Sequence, residues 1–337
     1  MQNIKVAIFF LLLCFFALLI EQKHGKIFAL FNAKTSALTT RIEGNNYPKT
    51  LIDSTGIRFV MPKAPSRIVS VTLQSDQMLA QLVDLKRIAA VSFYADDPTL
   101  SNVVNFYPKG IPRMRAEIEQ LLALQADLIF IASYTNPDTV RYLLRSHIPI
   151  IRLSAFNSLA DIIDNLRLVA RATDSQDKAE LIILKINERL AKLSNALQGK
   201  EKVRVLYYDI NGYSAGKGSL INESIEMAGG INVAKNILGA QEAKLSEERA
   251  IALQADVILM VGAINEKISG QPHSVVDILK NKSAWKNVPA IKNNRVYALP
   301  GRLLHTISQH RIEGIEQIAY LLHPEINIIK KETPHAQ

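Results

Sequence analysis

Short apolar runs alternate with amphipathic segments through most of the first half of the chain. The strand candidates are four runs with few charges, at residues 67–71, 87–93, 128–132 and 149–153. Between them, apolar residues recur at helical spacing in residues 75–85, 117–124 and 137–146, with Ser75 as the expected N-cap of the first helix. Apolar strands separated by helices are typical of βαβ units on a parallel sheet, so we predict an α/β lobe here.

The middle of the chain has a different pattern. Residues 159–171 form a helical segment, and Gln176–Leu197 follows as one amphipathic helix without proline or glycine. We predict that its apolar face consists of Leu181, Leu184, Ile186, Leu190, Leu193 and Leu197. Twenty-two helical residues rise about 33 Å, which is the width of a small lobe rather than of a connector inside one.

Alternation of strands and helices resumes after this helix. We predict strands at residues 202–210, 257–261 and 295–299, and helices at 220–228, 275–280 and 308–322. At the start of the first lobe, residues 50–61 alternate about a Ser-Thr-Gly turn and predict a hairpin, which follows a polar stretch without pattern.

One phrase occurs twice in the sequence. "EQLLALQADLIFIA" begins at Glu119 and "ERAIALQADVILMV" begins at Glu248, so the same helix-to-strand transition is written in each half. We infer two lobes of similar construction, at residues 47–157 and 200–325, joined by a helical connection at 158–199. Residues 23–46 are then a linker and residues 326–337 a tail.

The N-terminus predicts export. A lysine precedes fifteen apolar residues, 6–20, which is short for a bilayer-spanning helix and typical of a signal-peptide core, although an uncleaved anchor stays open. The only cysteine, Cys14, lies inside this run, and bulky Leu13 before it argues against a lipoprotein signal. We therefore expect a periplasmic protein that folds without disulfides.

Composition narrows the class of protein further. The 337 residues contain 48% hydrophobic and 21% charged side chains, which is typical of a globular chain. The net charge of +9 favours anionic ligands or surfaces. Because the basic residues are scattered and no basic run contains interleaved aromatics, we expect no nucleic-acid partner.

Motifs for catalysis are missing from the sequence. The loop "GYSAGKGS" at residues 212–219 resembles a phosphate loop, but its first spacing is one residue short and Gly218 follows Lys217. We interpret it instead as a glycine-rich loop that faces a ligand cleft. No Gly-x-Ser-x-Gly elbow, His-Glu-x-x-His or paired-cysteine pattern occurs, so we predict a protein that is not an enzyme.

Candidate ligand contacts follow the predicted strands, because loops at the carboxyl ends of parallel strands form the binding crevice of such sheets. Tyrosine there offers an apolar face and a hydroxyl to a large, partly polar ligand, although packing tyrosines are the equal alternative. Arg302 suits an anionic chelate, and His305 is either a surface histidine or a ligand of metal or haem. The candidates are Gln74, Ser75, Tyr94, Tyr134, Tyr213, Ser214, Arg302 and His305.

Several ordered phrases resemble the class III periplasmic binding proteins of ABC importers, the iron-siderophore, haem and cobalamin group. They span residues 47–325 and are "DSTGIRFVMPKAPSRIVSV", "IPRMRAEIEQLLALQADLIF", "YSAGKGSLINESIEMAGGINVA", "LSEERAIALQADVIL" and "WKNVPAIKNNRVYALP". The proline of the family's L-x-P-D turn is Ala126 and Ala255 here, a conservative departure.

The resemblance implies an α/β fold of two lobes with mainly parallel sheets, joined by one long helix. It implies a monomer without a resident cofactor that captures an iron chelate, haem or cobalamin between its lobes. It also implies that Glu119 and Glu248 dock onto arginines of permease subunits in the inner membrane, although glutamate near a helix start is favoured by the helix dipole alone. A stiff helix further predicts that the lobes close only slightly.

Two other functions fit the sequence. One is capture of a bare transition-metal ion, for which only His305 is well placed and three or four convergent ligands are needed. The other is a membrane-tethered enzyme or adaptor on the same scaffold, since fold alone does not determine function.

Overall fold

The structure is a computed structural model that describes residues 40–53, 56–115, 117–132, 135–154, 156–262 and 274–326. The predicted signal segment, Cys14 and the tail from residue 327 lie outside this range. The chain divides into two compact units, of which one ends at Pro62 and the other begins at Lys63.

The first unit contains a small antiparallel sheet. Its strands, in the order β1-β2-β3, are β1 (Arg41–Glu43), β2 (Lys49–Ile52) and β3 (Arg58–Met61). The pair β2 and β3 is the hairpin that the alternation at residues 50–61 predicts, and Leu51 lies opposite Phe59. Strand β1 was not expected, because residues 41–43 fall inside the predicted linker and three residues carry too little periodicity to be recognised.

The second unit begins with an α/β lobe. Its five strands are parallel in the order β6-β5-β4-β7-β8. The elements are β4 (Ile68–Ser70), α1 (Leu73–Leu82), β5 (Ile88–Ser92), β6 (Arg113–Met114), α2 (Ile118–Ala123), β7 (Leu128–Ala132), α3 (Pro137–Arg145) and β8 (Ile150–Leu153). The N-cap of α1 is Thr72, whose hydroxyl accepts from the Ser75 amide, so the assignment of Ser75 as the cap was wrong by three residues.

Two consecutive helices lead out of this lobe. They are α4 (Leu159–Thr173), which starts with a Ser158–Asp161 capping box, and α5 (Gln176–Leu197), which has the bounds that the sequence predicts. The predicted apolar face of α5 was partly wrong, since Leu181 and Leu184 are 58% and 54% exposed. The buried residues Ala179, Ile183, Ile186 and Leu193 are separated by four, three and seven positions and so share one face, whereas both exposed leucines lie on the opposite side of the helix.

A second α/β lobe follows α5. Its four strands are parallel in the order β11-β9-β13-β14, and β10 pairs with β12 in a separate antiparallel ribbon. The strands are β9 (Val203–Tyr207), β10 (Tyr213–Ser214), β11 (Gly230–Asn232), β12 (Ala243–Lys244), β13 (Val257–Val261) and β14 (Val296–Leu299). The helices are α6 (Leu220–Met227), α7 (Glu247–Ala252), α8 (Val275–Lys280), α9 (Pro289–Lys292), α10 (Gly301–Leu304) and α11 (Arg311–Leu322).

The repeated "LQAD" phrase forms the same turn in both lobes. Gln125 and Gln254 have φ of 49° and 47°, in the left-handed region that lets a helix end and a strand begin within a few residues. Ala126 and Ala255 are buried, with exposures of 8% and 0%. The repeat is therefore a duplicated structural device as well as a duplicated phrase.

An arginine fastens each of these turns to the first strand of its lobe. The Arg67 guanidinium donates to the Leu124 carbonyl at 2.7 and 3.0 Å, and that of Arg204 donates to the Leu253 carbonyl at 2.8 Å. The Asp127 amide donates to the Arg67 carbonyl and the Asp256 amide to the Arg204 carbonyl. In each lobe the last helical carbonyls thus gain a charged donor.

The two aspartates of these turns differ in one respect, and this difference predicts a difference in stability. The Asp127 carboxylate accepts three hydrogen bonds, from the Ser66 amide and hydroxyl and from the Arg67 amide, whereas that of Asp256 accepts none from the described residues. We expect Asp127→Ala to lower the free energy of unfolding by about 1–2 kcal/mol. Asp256→Ala is the matched control and should change it by less than about 0.5 kcal/mol. Urea denaturation measures both, and equal losses would contradict the assignment.

Candidate functional site

A cavity lies between the two α/β lobes of the second unit. Its volume is about 390 Å³, and residues from both lobes line it. The N-terminal lobe contributes Val71, Gln74, Gln77 and Tyr94, which follow the carboxyl ends of β4 and β5; the C-terminal lobe contributes Gly301, His305 and Thr306, which follow β14. The cavity is therefore the crevice that the carboxyl ends of parallel strands are expected to form.

A smaller chamber of about 210 Å³ adjoins this cavity. His305 and Ile307 border both spaces, so the two are neighbouring parts of one cleft. The chamber is also lined by polar groups that come from the connection ahead of α4, the start of α6, the loop before β12 and the start of α11. These are Asn157, Ser219, Gln241, Glu242 and Arg311.

A polar bridge joins the lobes directly beside the cavity. The Asn102 side-chain amide donates to the Gln77 side chain and to the Arg302 carbonyl, both at 2.8 Å, and the Arg302 amide donates to the Thr99 carbonyl at 2.9 Å. The Gln309 side-chain amide donates to the Gln77 carbonyl at 2.6 Å. The lobes are thus connected at this bridge as well as through α5.

His305 lies where the two spaces meet. Its Nε2 is 3.1 Å from the Tyr207 hydroxyl, and the two rings meet edge to face. The imidazole opens onto the cleft, yet the surrounding protein desolvates it, and this burial lowers its pKa, with nearby Arg311 lowering it further. The lowered pKa favours the neutral imidazole, which can donate or accept a hydrogen bond or coordinate a metal ion.

Exposed aromatic rings lie at the ends of the strands on both lobes. Phe93 and Tyr94 are 50% and 49% exposed with ring centroids 5.8 Å apart, and the Arg115 guanidinium lies 4.6 Å from the Phe93 centroid. Tyr213 is 40% exposed, and the Lys244 ammonium lies 5.7 Å from its centroid. Of these rings, Tyr94 lines the larger cavity, and a large exposed ring at a cleft is typical of a surface that a partly apolar ligand covers.

Two amides of the glycine-rich loop at residues 212–219 are bonded within the protein and are not available to a phosphate. The Lys217 amide donates to the Gly239 carbonyl and the Gly218 amide to the Ala240 carbonyl. A Cβ on Gly216 would lie 2.1 Å from the Gln241 carbonyl oxygen, so glycine is needed here for close backbone packing. The loop ends at Ser219, the N-cap of α6, which lines the smaller chamber.

The structure brings some of the predicted ligand residues to the cleft but not all of them. Gln74, Tyr94 and His305 line the larger cavity, and the Arg302 backbone forms part of the bridge beside it. Tyr213 is exposed outside both spaces, and Tyr134 lies outside the described residues.

Ser75 and Ser214 cannot touch a ligand in this conformation. Both are fully buried; the Ser75 hydroxyl is bonded to Ser70 and Thr72, and that of Ser214 donates to the Tyr207 carbonyl at 2.6 Å. Sequence reasoning placed them at the cleft because each lies just beyond a strand, but their side chains face their own lobe. It missed Glu242 and Arg311, which carry no motif.

Glu119 and Glu248 occupy equivalent places. Each is the second residue of a six-residue helix, α2 and α7, that ends in the repeated turn. Both are exposed, and neither forms an ion pair with another described residue. By contrast, the adjacent Glu247 is bound to Lys282 at 2.8 Å and to the Trp285 indole at 2.6 Å.

A buried carboxylate lies in α1 between the cavity residues Gln74 and Gln77. Asp76 is fully buried and accepts hydrogen bonds from the Ser70 and Ser92 hydroxyls and from the Ser92 amide. Burial raises its pKa to about 7, although these hydrogen bonds act in the opposite direction. The wall of the cavity thus contains a group that titrates near neutral pH.

Neither a bare-ion site nor a membrane span is found in the part of the chain that the structure describes. The described residues contain no group of three or more His, Cys, Asp or Glu side chains that could hold a metal ion, so they add no support to capture of a bare ion. Among the described helices, none is long and apolar enough to cross a bilayer.

The chain matches a family model described as periplasmic binding protein over residues 68–303, and it belongs to this family. Members of the family serve as the substrate-binding components of ABC transport systems outside the cytoplasm, and the relatives of this chain are named as binding proteins rather than as enzymes.

Two curated relatives and one solved structure illustrate the range of the family. A cobalamin-binding protein of Halobacterium salinarum is 22% identical over 78% of this chain and 73% of its own length. An iron(3+)-hydroxamate-binding protein of Bacillus subtilis is 21% identical over 70% of this chain and 73% of its own. The periplasmic heme-binding protein RhuT from Roseiflexus sp. RS-1, in apo form, superposes with a TM-score of 0.65 at 22% identity, covering 77% of this chain and 98% of that chain. At this identity the superposition supports the fold alone.

The buried carboxylate of Asp76 predicts a pH-dependent stability. Because its pKa is about 7 in the folded protein and 3.8 in the reference state, the folded chain binds the proton more tightly. Its contribution to stability is therefore largest below about pH 4 and is lost as the pH rises to 7, with a slope of at most about 1.4 kcal/mol per pH unit. Asparagine mimics the protonated acid and does not titrate. The free energy of unfolding of wild type minus that of Asp76→Asn should therefore fall as the pH rises from about 4 to 7.

Urea denaturation at several pH values between 4 and 7.5 measures this difference. Asp84→Asn is the control, since Asp84 is exposed and its pKa is lowered by hydrogen bonds from Lys86. Its difference from wild type should be constant above pH 5. A constant difference for Asp76→Asn as well would contradict the raised pKa.

Proposed function

We propose that this protein is the extracytoplasmic substrate-binding component of an ABC importer, and that it captures an iron chelate, haem or cobalamin in its inter-lobe cleft. The main support is a cavity lined by the loops at the carboxyl ends of two parallel sheets, in a chain of the periplasmic binding protein family. The relatives' names support this range of cargo, since they include cobalamin and an iron(3+) hydroxamate. The protein carries no resident cofactor and performs no reaction.

The dimensions of the cleft favour a large cargo that stays partly exposed. Together the two spaces amount to about 600 Å³, the sum of 390 and 210 Å³, which lies within the usual range of ligand pockets. The exposed ring of Tyr94 lines the larger cavity, and that of Phe93 packs against it and extends the apolar surface. A bulky ring system or chelate can stack on such rings, whereas a bare metal ion gains no stacking contact from them.

The connections between the lobes favour capture with little closure. Helix α5 is continuous over its 22 residues, and the bridge around Gln77 and Asn102 adds a second attachment beside the cleft. Bending a continuous helix breaks backbone hydrogen bonds, whereas a hinge of loops or strands does not. We therefore propose a preformed cleft whose lobes shift by small amounts when cargo binds.

We propose further that Glu119 and Glu248 dock the loaded protein, as a monomer, on the two permease subunits. Both are exposed, unpaired among the described residues and equivalent in the duplicated lobes. A single exposed ion pair contributes about 0–1 kcal/mol. Two equivalent pairs fix orientation and speed encounter, which is how charged groups mainly act at interfaces.

The proposed cargo predicts a direct binding result. Protein purified after export should bind at least one of haem, cobalamin or a ferric hydroxamate with a Kd of about 1 µM or lower. Tyr94→Ala should weaken this binding about tenfold because it removes an exposed ring at the cavity, whereas Tyr142→Ala on α3 removes a comparable exposed ring away from the cleft and should not. Fluorescence quenching or absorbance titration measures the affinities. If the protein bound none of the three ligands, the transport proposal would be contradicted.

The docking role predicts a separation of binding from uptake. Glu119→Lys combined with Glu248→Lys should abolish uptake of the bound cargo by cells and leave its Kd unchanged, because both residues lie outside the cleft. Glu188→Lys combined with Glu201→Lys makes the same charge change at two other exposed sites and should leave uptake intact. Loss of uptake in both double variants, or a weaker Kd in the first, would show that Glu119 and Glu248 have no specific docking role.

A further inference from the structure

Arg311 is a buried cation with unused hydrogen-bond donors. Its side chain lies at the start of α11, is 1% exposed and lines the smaller chamber. Its Nη1 donates to the Leu304 and Thr306 carbonyls and so closes the end of α10. Its Nε and Nη2 have no partner among the residues that the structure describes.

The surroundings of Arg311 compensate its charge only in part. Burial lowers its pKa to about 10, while Glu223 and Glu242 act in the opposite direction, so the guanidinium is charged at neutral pH. No described carboxylate lies within ion-pair distance of it, and the Glu223 carboxylate accepts from the Leu159 amide at 2.7 Å instead. A buried charge and buried donors without partners are costly, so the arrangement favours any anion that can enter.

The rest of the chamber is lined by neutral polar side chains and one carboxylate. Asn157 and Gln241 supply side-chain amides, which are bonded to each other at 3.3 Å, and His305 supplies an imidazole. Ser219 marks the start of α6, an eight-residue helix whose positive end meets the chamber. Glu242 is the one carboxylate among the residues that line the chamber, and burial raises its pKa. The two unpaired donors of one guanidinium match the geometry of a carboxylate or phosphate.

We propose that this chamber, the Arg311 chamber, is an anion subsite in which the free Nε and Nη2 of Arg311 bind a carboxylate or phosphate group carried by the cargo. A volume of about 210 Å³ is too small for a whole chelate but sufficient for a peripheral group of a ligand whose body occupies the adjoining cavity. The cargo is then an anionic ligand rather than a neutral one. The biological meaning of the subsite rests on the proposed transport function, but its anion binding does not.

The probes for this subsite are inorganic phosphate and acetate, titrated into the full exported protein at constant ionic strength set by sodium chloride. We expect wild type to bind at least one of them in the millimolar range, and the preferred probe tells phosphate from carboxylate chemistry. Arg311→Gln should weaken that binding at least about tenfold. Arg189→Gln is the matched control, because Arg189 also contacts α11, through Glu316 at 2.7 Å, but lies outside the chamber.

A second variant tests the same site in the opposite direction and without disturbing the buried arginine. The Glu242 carboxylate lines the chamber and competes with the anion for the positive potential of Arg311, so Glu242→Gln should tighten binding of the same probe about two- to fivefold. This result decides the matter if Arg311→Gln does not fold. Isothermal titration or chemical-shift titration measures the affinities.

The proposal is overturned if wild type binds neither probe, if Arg311→Gln binds as tightly as wild type, or if Glu242→Gln leaves the affinity unchanged or weaker. Failure of the transport proposal gives a different result. In that case haem, cobalamin and ferric hydroxamate would not bind, while phosphate or acetate would still bind in an Arg311-dependent manner.

Discussion

The continuity of helix α5 is the constraint on which the remaining architecture depends. Twenty-two residues without proline or glycine connect two parallel-sheet lobes, and the buried stripe through Ala179, Ile183, Ile186 and Leu193 holds this helix against them. Since an α-helix resists bending, it fixes how far apart the lobes lie. The strand ends of both lobes can then form one preformed cleft, with the Gln77 and Asn102 bridge closing its side.

The same frame gives the cleft its chemical character. The larger cavity combines apolar walls with exposed rings at its edge, whereas the Arg311 chamber offers donors and a buried positive charge. An apolar body with an acidic periphery complements both parts. The net charge of +9 also favours an anionic ligand, because a positive protein attracts anions at long range.

Much of the fold could be predicted from the sequence because it depends on strong local patterns. The bounds of α5, β7, β13 and α8 were predicted to the residue, and the repeated "LQAD" turns correctly indicated two lobes of like construction. Short elements such as β1, β6 and β10 escaped prediction, since two or three residues have no measurable period. The apolar face of α5 was partly misassigned because leucines were chosen by type, whereas only their angular position on the helix decides burial.

The site was less predictable, because it is assembled from loops that are distant in sequence. The strand-end rule brought Gln74, Tyr94 and His305 to the cavity, but it gave no information about side-chain direction, and Ser75 and Ser214 turn into their own lobes. Arg311 and Glu242 belong to no motif, and their importance depends on burial and unpaired donors that only coordinates reveal. The position of the cleft could be predicted from the topology, but the chemistry of its side chains could not.

The most direct test of the central claim, a rigid two-lobed frame, is a distance measurement between the lobes. Spin labels at Arg145→Cys and Lys292→Cys, on exposed ends of α3 and α9 in a Cys14→Ser background, report that distance by pulsed electron resonance. We expect one narrow distribution whose mean changes by less than about 2 Å when cargo is added. A broad distribution in the free protein, or a change of about 10 Å on binding, would contradict the rigid frame.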